Sequence, residues 1–489
     1  MYTKESVNRF LFSLAIGLIS YGFALSNYSL SVDSESIIYP DFSLDLGRWG
    51  NNLIRYHLFK GHLPYFTMLL GIILMSLSAL ELTRLFRFKS LSAYAFCALF
   101  MSFPQMAYNL IFTMQADTVP LGLLCGILSY SVFETSFGKF FSLKGFLKLL
   151  GAATLLMFSL SMYQALLFVP VVIYIIRALQ HSYSDEFELK SEVISGIHFA
   201  AFVLLGGLLY WVSVKLICPP IEGGYLSSYT SGPSGNLLAN FANYWATSVM
   251  GNQYYGAKIY LAVPIFGLFL LYRFVREKRF SFLRISIFLV LLVVPFLIGF
   301  FITNQYYPPR ILVSTPILLA FVVVFAFEKI DFPKPALIIV ALMCLINVYF
   351  ITALFNSNYK IFNYDKDTAR KIDMVLRTEY PDFDENVNYV YFQGCLPYER
   401  YDKIRLPKSE IFGGSLFNWD NGSNPRIINF FRFSDIGYYK MIDNKEVYLK
   451  IKDSIEPMPV WPKKGSVKMI QDVMVVKLGK EKGANLWVE

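Results

Sequence analysis

Apolar runs long enough to cross about 30 Å of hydrocarbon recur through the first three quarters of the chain. They lie at 9–26, 64–82, 91–112, 117–134, 193–217, 257–274, 281–302, 310–327 and 335–355. A further block, 148–179, is too long for one straight span and is interrupted by the polar pair Tyr163 and Gln164, with Pro170 beyond. This predicts two helices meeting at Tyr163–Gln164, and eleven spans in all. From 356 onward charged residues, Pro and Gly become frequent and no further span follows. Within this tail, 365–380 has a helical pattern through Ile372, Val375 and Leu376, while 387–392, 446–451 and 472–478 alternate or run apolar as strands do. The pattern therefore predicts a polytopic α-helical membrane domain, 1–355, and a small α/β domain, 356–489.

Composition agrees with that division. Of 489 residues 55% are hydrophobic and 16% charged, with mean hydropathy +0.46; soluble domains carry roughly 25% charged residues. A soluble enzyme and a disordered chain are both excluded. Aromatics at 17% suit a protein with two membrane interfaces. The net charge of +9 forms no single basic patch of the kind nucleic acid requires. Its Lys and Arg fall in alternate loops instead, densely at Arg84–Lys89 and Arg273–Arg284, which orients the bundle with the N-terminus in and the C-terminal domain out. The first span ends in Ala24-Leu25-Ser26, which is like a signal-peptidase site; we expect it to stay as an anchor. The five Cys have no C-x-x-C spacing and the four His no i, i+4 partner, so we expect no metal site.

Polar residues gather in the outward segments, where function in a membrane bundle is sought. The first outer loop, 27–64, holds Asp33, Glu35, Asp41 and Asp45, then an amphipathic stretch that includes Arg48, with Leu46, Trp49, Leu53 and Tyr56 on one face and Asn51, Asn52 and Arg55 on others. Asp117 opens a span with Pro120 in its first turn, as a helix cap would. Tyr163 and Gln164 at a hairpin tip, and Tyr306 and Tyr307, which with Arg310 precede another span, are candidates for binding sugar or acceptor. The loop 218–256 is rich in Gly, Ser, Tyr and Asn, side chains suited to carbohydrate. Each feature also has a plain structural explanation: interfacial snorkelling for the arginines, solvated loop charge for the acids, capping for Asp117, a simple connector for 218–256.

Together they supply the inventory for a sugar joined to a lipid phosphate. Arginine holds phosphate at headgroup level through bidentate geometry; here Arg48, Arg55 and Arg310 are the candidates. Phosphate leaves readily, so a single carboxylate suffices to take the acceptor proton, unlike the two of glycosidases. Asp33, Glu35 or Asp117 is that candidate base, with Asp33 slightly favoured. Exposed aromatics of the C-terminal domain, such as Trp419 or Tyr398, are candidates for stacking on acceptor sugars, and a domain that only stabilises the bundle, with Trp419 in its core, is the alternative.

An acidic first outer loop, Gly47-Arg48-Trp49, Gln115-Ala116-Asp117, Tyr163-Gln164 and Pro308-Pro309-Arg310, in that order, resemble the serotype-converting O-antigen glucosyltransferases of Gram-negative bacteria and their phages. The resemblance implies a GT-C type fold in the bacterial inner membrane. It implies undecaprenyl-phosphate glucose as donor, lipid-linked O-antigen as acceptor on the periplasmic face, and two partners, a donor-synthesising glucosyltransferase and a flippase. The family's first loops show adjacent acids, whereas Ser34 separates Asp33 from Glu35 here. An O-antigen polymerase is the nearest alternative, but its large Arg-rich loop has no counterpart in 218–256, which contains no Arg or Lys. A transporter or flippase would want charges lining a path, and within the spans only Glu81 and Lys215 come close, both near ends.

Overall fold

The computed structural model describes residues 4–39, 41–136, 142–219, 237–250, 261–277, 280–300, 308–442, 444–481 and 483. Tyr306, Tyr307 and most of the 218–256 loop lie outside the described residues. Packing divides the chain into two compact units, one of Met1–Ser26 with Pro40–Thr352, the other of Asn27–Tyr39 with Ala353–Glu489. The second unit's C-terminal segment begins at 353, and 27–39, the start of the first loop, belongs to the same unit.

In the first unit, helices match the apolar runs. Among the described residues eight helices are long and apolar enough to cross a membrane: Lys4–Ser26, Pro64–Leu85, Thr118–Ser136, Leu143–Met162, Gln164–His181, Leu189–Ile217, Ser281–Phe300 and Lys334–Glu379. The break in the 148–179 block is present. Tyr163 takes an extended conformation between two helices, releasing the backbone just where the polar pair interrupts the run. Three other expected spans are shorter helices. Ser90–Ser102 stops before Pro104, whose missing N–H cannot continue the ladder; Ala262–Arg276 has 15 residues and Thr315–Glu328 has 14. Close approach is secured by small residues. The Ser159 hydroxyl donates to the Gly122 carbonyl at 2.7 Å, joining the 118–136 and 143–162 helices across a glycine surface.

The second unit holds a four-stranded sheet in the order β2-β1-β4-β3, with β1 Tyr389–Gln393, β2 Lys440–Met441, β3 Val467–Ile470 and β4 Val473–Lys477. β1 is parallel to both β2 and β4, and β3 is antiparallel to β4. Two of the expected strands, 387–392 and 472–478, correspond to β1 and β4. The third, 446–451, is instead part of the helix Lys445–Ile455. Asn444 caps that helix by accepting from the Glu446 N–H at 2.7 Å, and Ile451 and Ile455 join Tyr391, Val473 and Val475 in the core. A spacing of four residues between buried isoleucines is helical, and outweighs the β-branched content that suggested a strand. The amphipathic pattern at 365–380 continues the Lys334–Glu379 helix without interruption. Its buried Asp365 accepts from the Tyr401 hydroxyl, the Ser415 hydroxyl and the Leu416 N–H at 2.8–3.0 Å, which satisfies a carboxylate that would otherwise be costly to bury.

Candidate functional site

The sequence-derived candidates fall into two groups, one in each unit. In the first unit, Gly47 turns the chain with φ +69 into a short helix, Trp49–Asn52, which continues as a wider π-helical turn, Leu53–Leu58. Wide turns of this kind are frequent at functional sites. This element carries Arg48 at its start and Arg55 in its last turn.

Arg48 meets the hairpin tip. Its Nε donates to Gln164 Oε1 at 3.3 Å and its guanidinium lies 4.6 Å from the centre of the Tyr163 ring. Gln164 in turn donates to the Leu46 carbonyl at 2.6 Å and to the Tyr210 hydroxyl at 3.0 Å, and Tyr210 donates to the Gly47 carbonyl at 3.1 Å. The Trp49 indole donates to Ser213 at 2.9 Å. Two segments over a hundred residues apart are thereby clamped around one guanidinium.

Arg55 is buried, 1% exposed, and its Nη2 is ion-paired with Asp117, also 1% exposed. Its Nε donates to the Met114 carbonyl at 3.2 Å. One atom of each partner, Arg55 Nη1 and Asp117 Oδ2, is buried without a hydrogen bond. Each partner thus keeps one polar atom unsatisfied within the protein, which is costly unless a polar ligand or water meets it. Asn51 donates to Thr118 at 2.9 Å, tying the same short helix to the start of the Asp117 span. Arg310 lies against the same 109–117 segment, with its guanidinium 5.3 Å from the Phe112 ring centre and its carbonyl accepting from Asn109 at 3.2 Å. Arg48 and Arg55 thus share one element, and Arg55 and Arg310 share the segment leading to Asp117.

Asp33 and Glu35 lie in the second unit. Asp33 adopts a left-handed conformation, φ 72, and opens the 3₁₀ turn Ser34–Ile38 that contains Glu35. Both carboxylates bind Arg426, near the start of the helix Asn424–Phe433: Arg426 Nη2 is 2.9 Å from Asp33 Oδ1, and Nη1 is ion-paired with Glu35 Oε1. Arg426 Nε completes the set on Asp420 Oδ2 at 2.7 Å. The two acids differ in access. The Asp33 side chain is 28% exposed, Glu35 only 3%, and Glu35 Oε2 is buried without a partner. Burial pushes the Glu35 carboxyl up to about 7; Arg426 pulls against that rise and neighbouring Asp33 adds to it. Trp419, half-buried next to Asp420, packs over Gly414 beside Val32.

Arg426, Asp420 and Tyr210 escaped the sequence reading. Arg426 lies far along the chain from Asp33 and Glu35, and Tyr210 from Gly47 and Gln164, with no local motif; only Asp420 and Arg426, an i, i+6 charge pair across a turn, offered a faint signal. Among the described residues no three His, Cys, Asp or Glu gather as a metal site. No curated relative and no solved structure matches the chain. The family described as Glucosyl transferase GtrII matches residues 22–327, well over half of the 489 and inclusive of both acid groups and all three candidate arginines. The chain therefore belongs to the GtrII glucosyl transferase family and is a glycosyltransferase of the membrane.

Proposed function

We propose that this protein moves glucose from undecaprenyl-phosphate glucose to a sugar of lipid-linked O-antigen, on the periplasmic face of the bacterial inner membrane, with a first-loop carboxylate as base. The observation that carries the base assignment is the unequal pair on Arg426. Glu35 is enclosed, whereas Asp33 is ion-paired yet open to an incoming hydroxyl. Asp33 takes the proton as the acceptor oxygen bonds to the anomeric carbon; the bond from that carbon to the phosphate oxygen breaks, and undecaprenyl phosphate leaves with the electron pair. Arg426 holds the Asp33 carboxylate in place through their ion pair.

For the donor phosphate, the reading is supported by Arg48, Arg55 and Arg310 in the first unit. The unsatisfied Nη1 of Arg55 is a donor in need of an acceptor, and a phosphate oxygen is a strong one. Asp117 holds Arg55 in place. Tyr163 and Gln164 position Arg48, and Trp419 offers a flat face for a sugar. The donor is supplied by a synthesising glucosyltransferase and a flippase, and no cofactor beyond this lipid-linked donor is invoked.

The test measures glucose transfer in membranes supplied with the donor. Asp33→Asn should lower the rate by about 10²- to 10⁴-fold while leaving expression intact, because Asn tolerates the left-handed conformation. Full transfer by Asp33→Asn would remove Asp33 as base, and full transfer by Glu35→Gln as well would move the assignment to Asp117.

A further inference from the structure

The first unit contains a cavity of about 580 Å³ at the end of the Pro64–Leu85 helix opposite to the Arg55 and Asp117 cluster. That helix has 22 residues and at about 1.5 Å per residue it spans roughly the thickness of the hydrocarbon. The cavity is therefore at headgroup level. Four cations line it: Arg9 from the first helix, Arg84 from the last turn of Pro64–Leu85, and Arg87 and Lys89 from the turn that follows. Part of its wall is apolar, from Leu77, Leu124 and Leu128.

The cations are not used up within the protein. Arg84 is held by Glu81 through Nε at 2.8 Å, and Arg9 pairs with Glu5. The Nε of Arg9 is nevertheless buried with no hydrogen-bond partner. Among the described residues neither Arg87 nor Lys89 has an ion pair. Arg87 also sits in the left-handed region, φ 57, directly after the helix, where the backbone closes with Phe88 N–H on the Thr83 carbonyl at 3.1 Å. Glycine is the usual residue at that point of a helix end, and any other side chain there costs about 1 kcal/mol. An arginine kept at a position built for glycine, on the rim of a basic cavity, points to use of its guanidinium.

We propose that this cavity binds the phosphate headgroup of an anionic membrane phospholipid, with an acyl chain against Leu77, Leu124 and Leu128. Charge fixes the headgroup class: four cations face two carboxylates, Glu5 and Glu81, leaving room for a phosphate. The apolar wall selects a phosphate that carries a chain over free phosphate, and the volume is in the usual range of a ligand pocket, roughly 300–1,000 Å³. The site is separate from the transfer chemistry and stands on the membrane setting of the chain alone.

The full-length protein is reconstituted in phosphatidylcholine nanodiscs with and without phosphatidylglycerol, and thermal unfolding and retained lipid are measured. Phosphatidylglycerol should raise the unfolding temperature of the wild type. Arg87→Gly, which relaxes the backbone and so folds at least as well, should lose most of that rise and, combined with Arg9→Gln, should hold phosphatidylglycerol about tenfold more weakly. Lys190→Gln, which removes an exposed cation elsewhere, should keep the full rise. An undiminished rise in Arg87→Gly and the double variant overturns the proposal. Equal loss in Lys190→Gln overturns it too, since the effect is then bulk attraction. Inorganic phosphate that protects as well as phosphatidylglycerol overturns the lipid assignment in favour of a free-anion site.

Discussion

At the scale of single residues the informative feature is buried charge. Glu35 has its proton affinity raised to about 7 from an ordinary 4.5, so the folded state holds a proton that the unfolded chain releases. Stability then falls as pH rises from about 4.5 through 7, because the native state is the one binding more protons over that window. Thermal unfolding across that range should show the decline, and Glu35→Gln should flatten it. Removing the partner has a larger effect. Arg426→Met leaves Glu35 buried and unpaired beside Asp33 and should lower stability by about 3–5 kcal/mol, read by chemical unfolding of the purified protein. Arg55 obeys the same logic with a functional consequence: Arg55→Ala should weaken donor binding and stability together, whereas Arg55→Lys keeps the charge, loses the fork, and should recover stability more than binding.

At the scale of elements, glycine sets how near the segments come. Gly71 lies where a methyl group would collide with the backbone carbonyl of Ala116, the residue before Asp117. Backbone cannot swing aside as a side-chain end can. Gly71→Ala should therefore displace the Asp117 segment, lower stability by about 1–3 kcal/mol, and reduce transfer although it touches no charged residue. Transfer at the wild-type rate in a destabilised Gly71→Ala protein would show that the Arg55 and Asp117 pair lies off the reaction path. Gly47 acts through conformation instead, since φ +69 lets the chain enter the Arg48 helix at an angle an L side chain resists.

At the scale of the whole molecule the alternating basic loops make a topological prediction. A reporter inserted in the turn at 381–386, directly after the Lys334–Glu379 helix, should be active only when exported to the periplasm. Activity on the cytoplasmic side would invert the orientation and take Asp33 away from any periplasmic donor. The C-terminal part of the chain contributes Arg426 and Asp420 to the acid cluster, yet the family match ends at 327. Specificity for one acceptor is thus expected to reside in the unit beyond the match, and exchange of 380–489 between members with different acceptors should change the acceptor used.

The sequence by itself determined the membrane class, the position of most helices and the break at Tyr163, because apolar length and polar interruption are local properties that burial in lipid enforces residue by residue. It also singled out Asp33, Glu35, Arg48, Arg55, Asp117 and Arg310 as charged groups in the loops and at the starts of apolar runs, where charge stands out. It did not determine their partners. Arg55 with Asp117, Arg48 with Gln164 and Asp33 with Arg426 are contacts between segments 62, 116 and 393 positions apart. Only tertiary structure decided that the first-loop acids pair with the C-terminal unit and the arginines with the bundle. The reason is that ion pairing depends on distance in space, which the local pattern of apolar and polar residues does not encode. The same holds for 445–455, where burial of Ile451 and Ile455 against a sheet formed by distant strands made a helix of a stretch that looked extended.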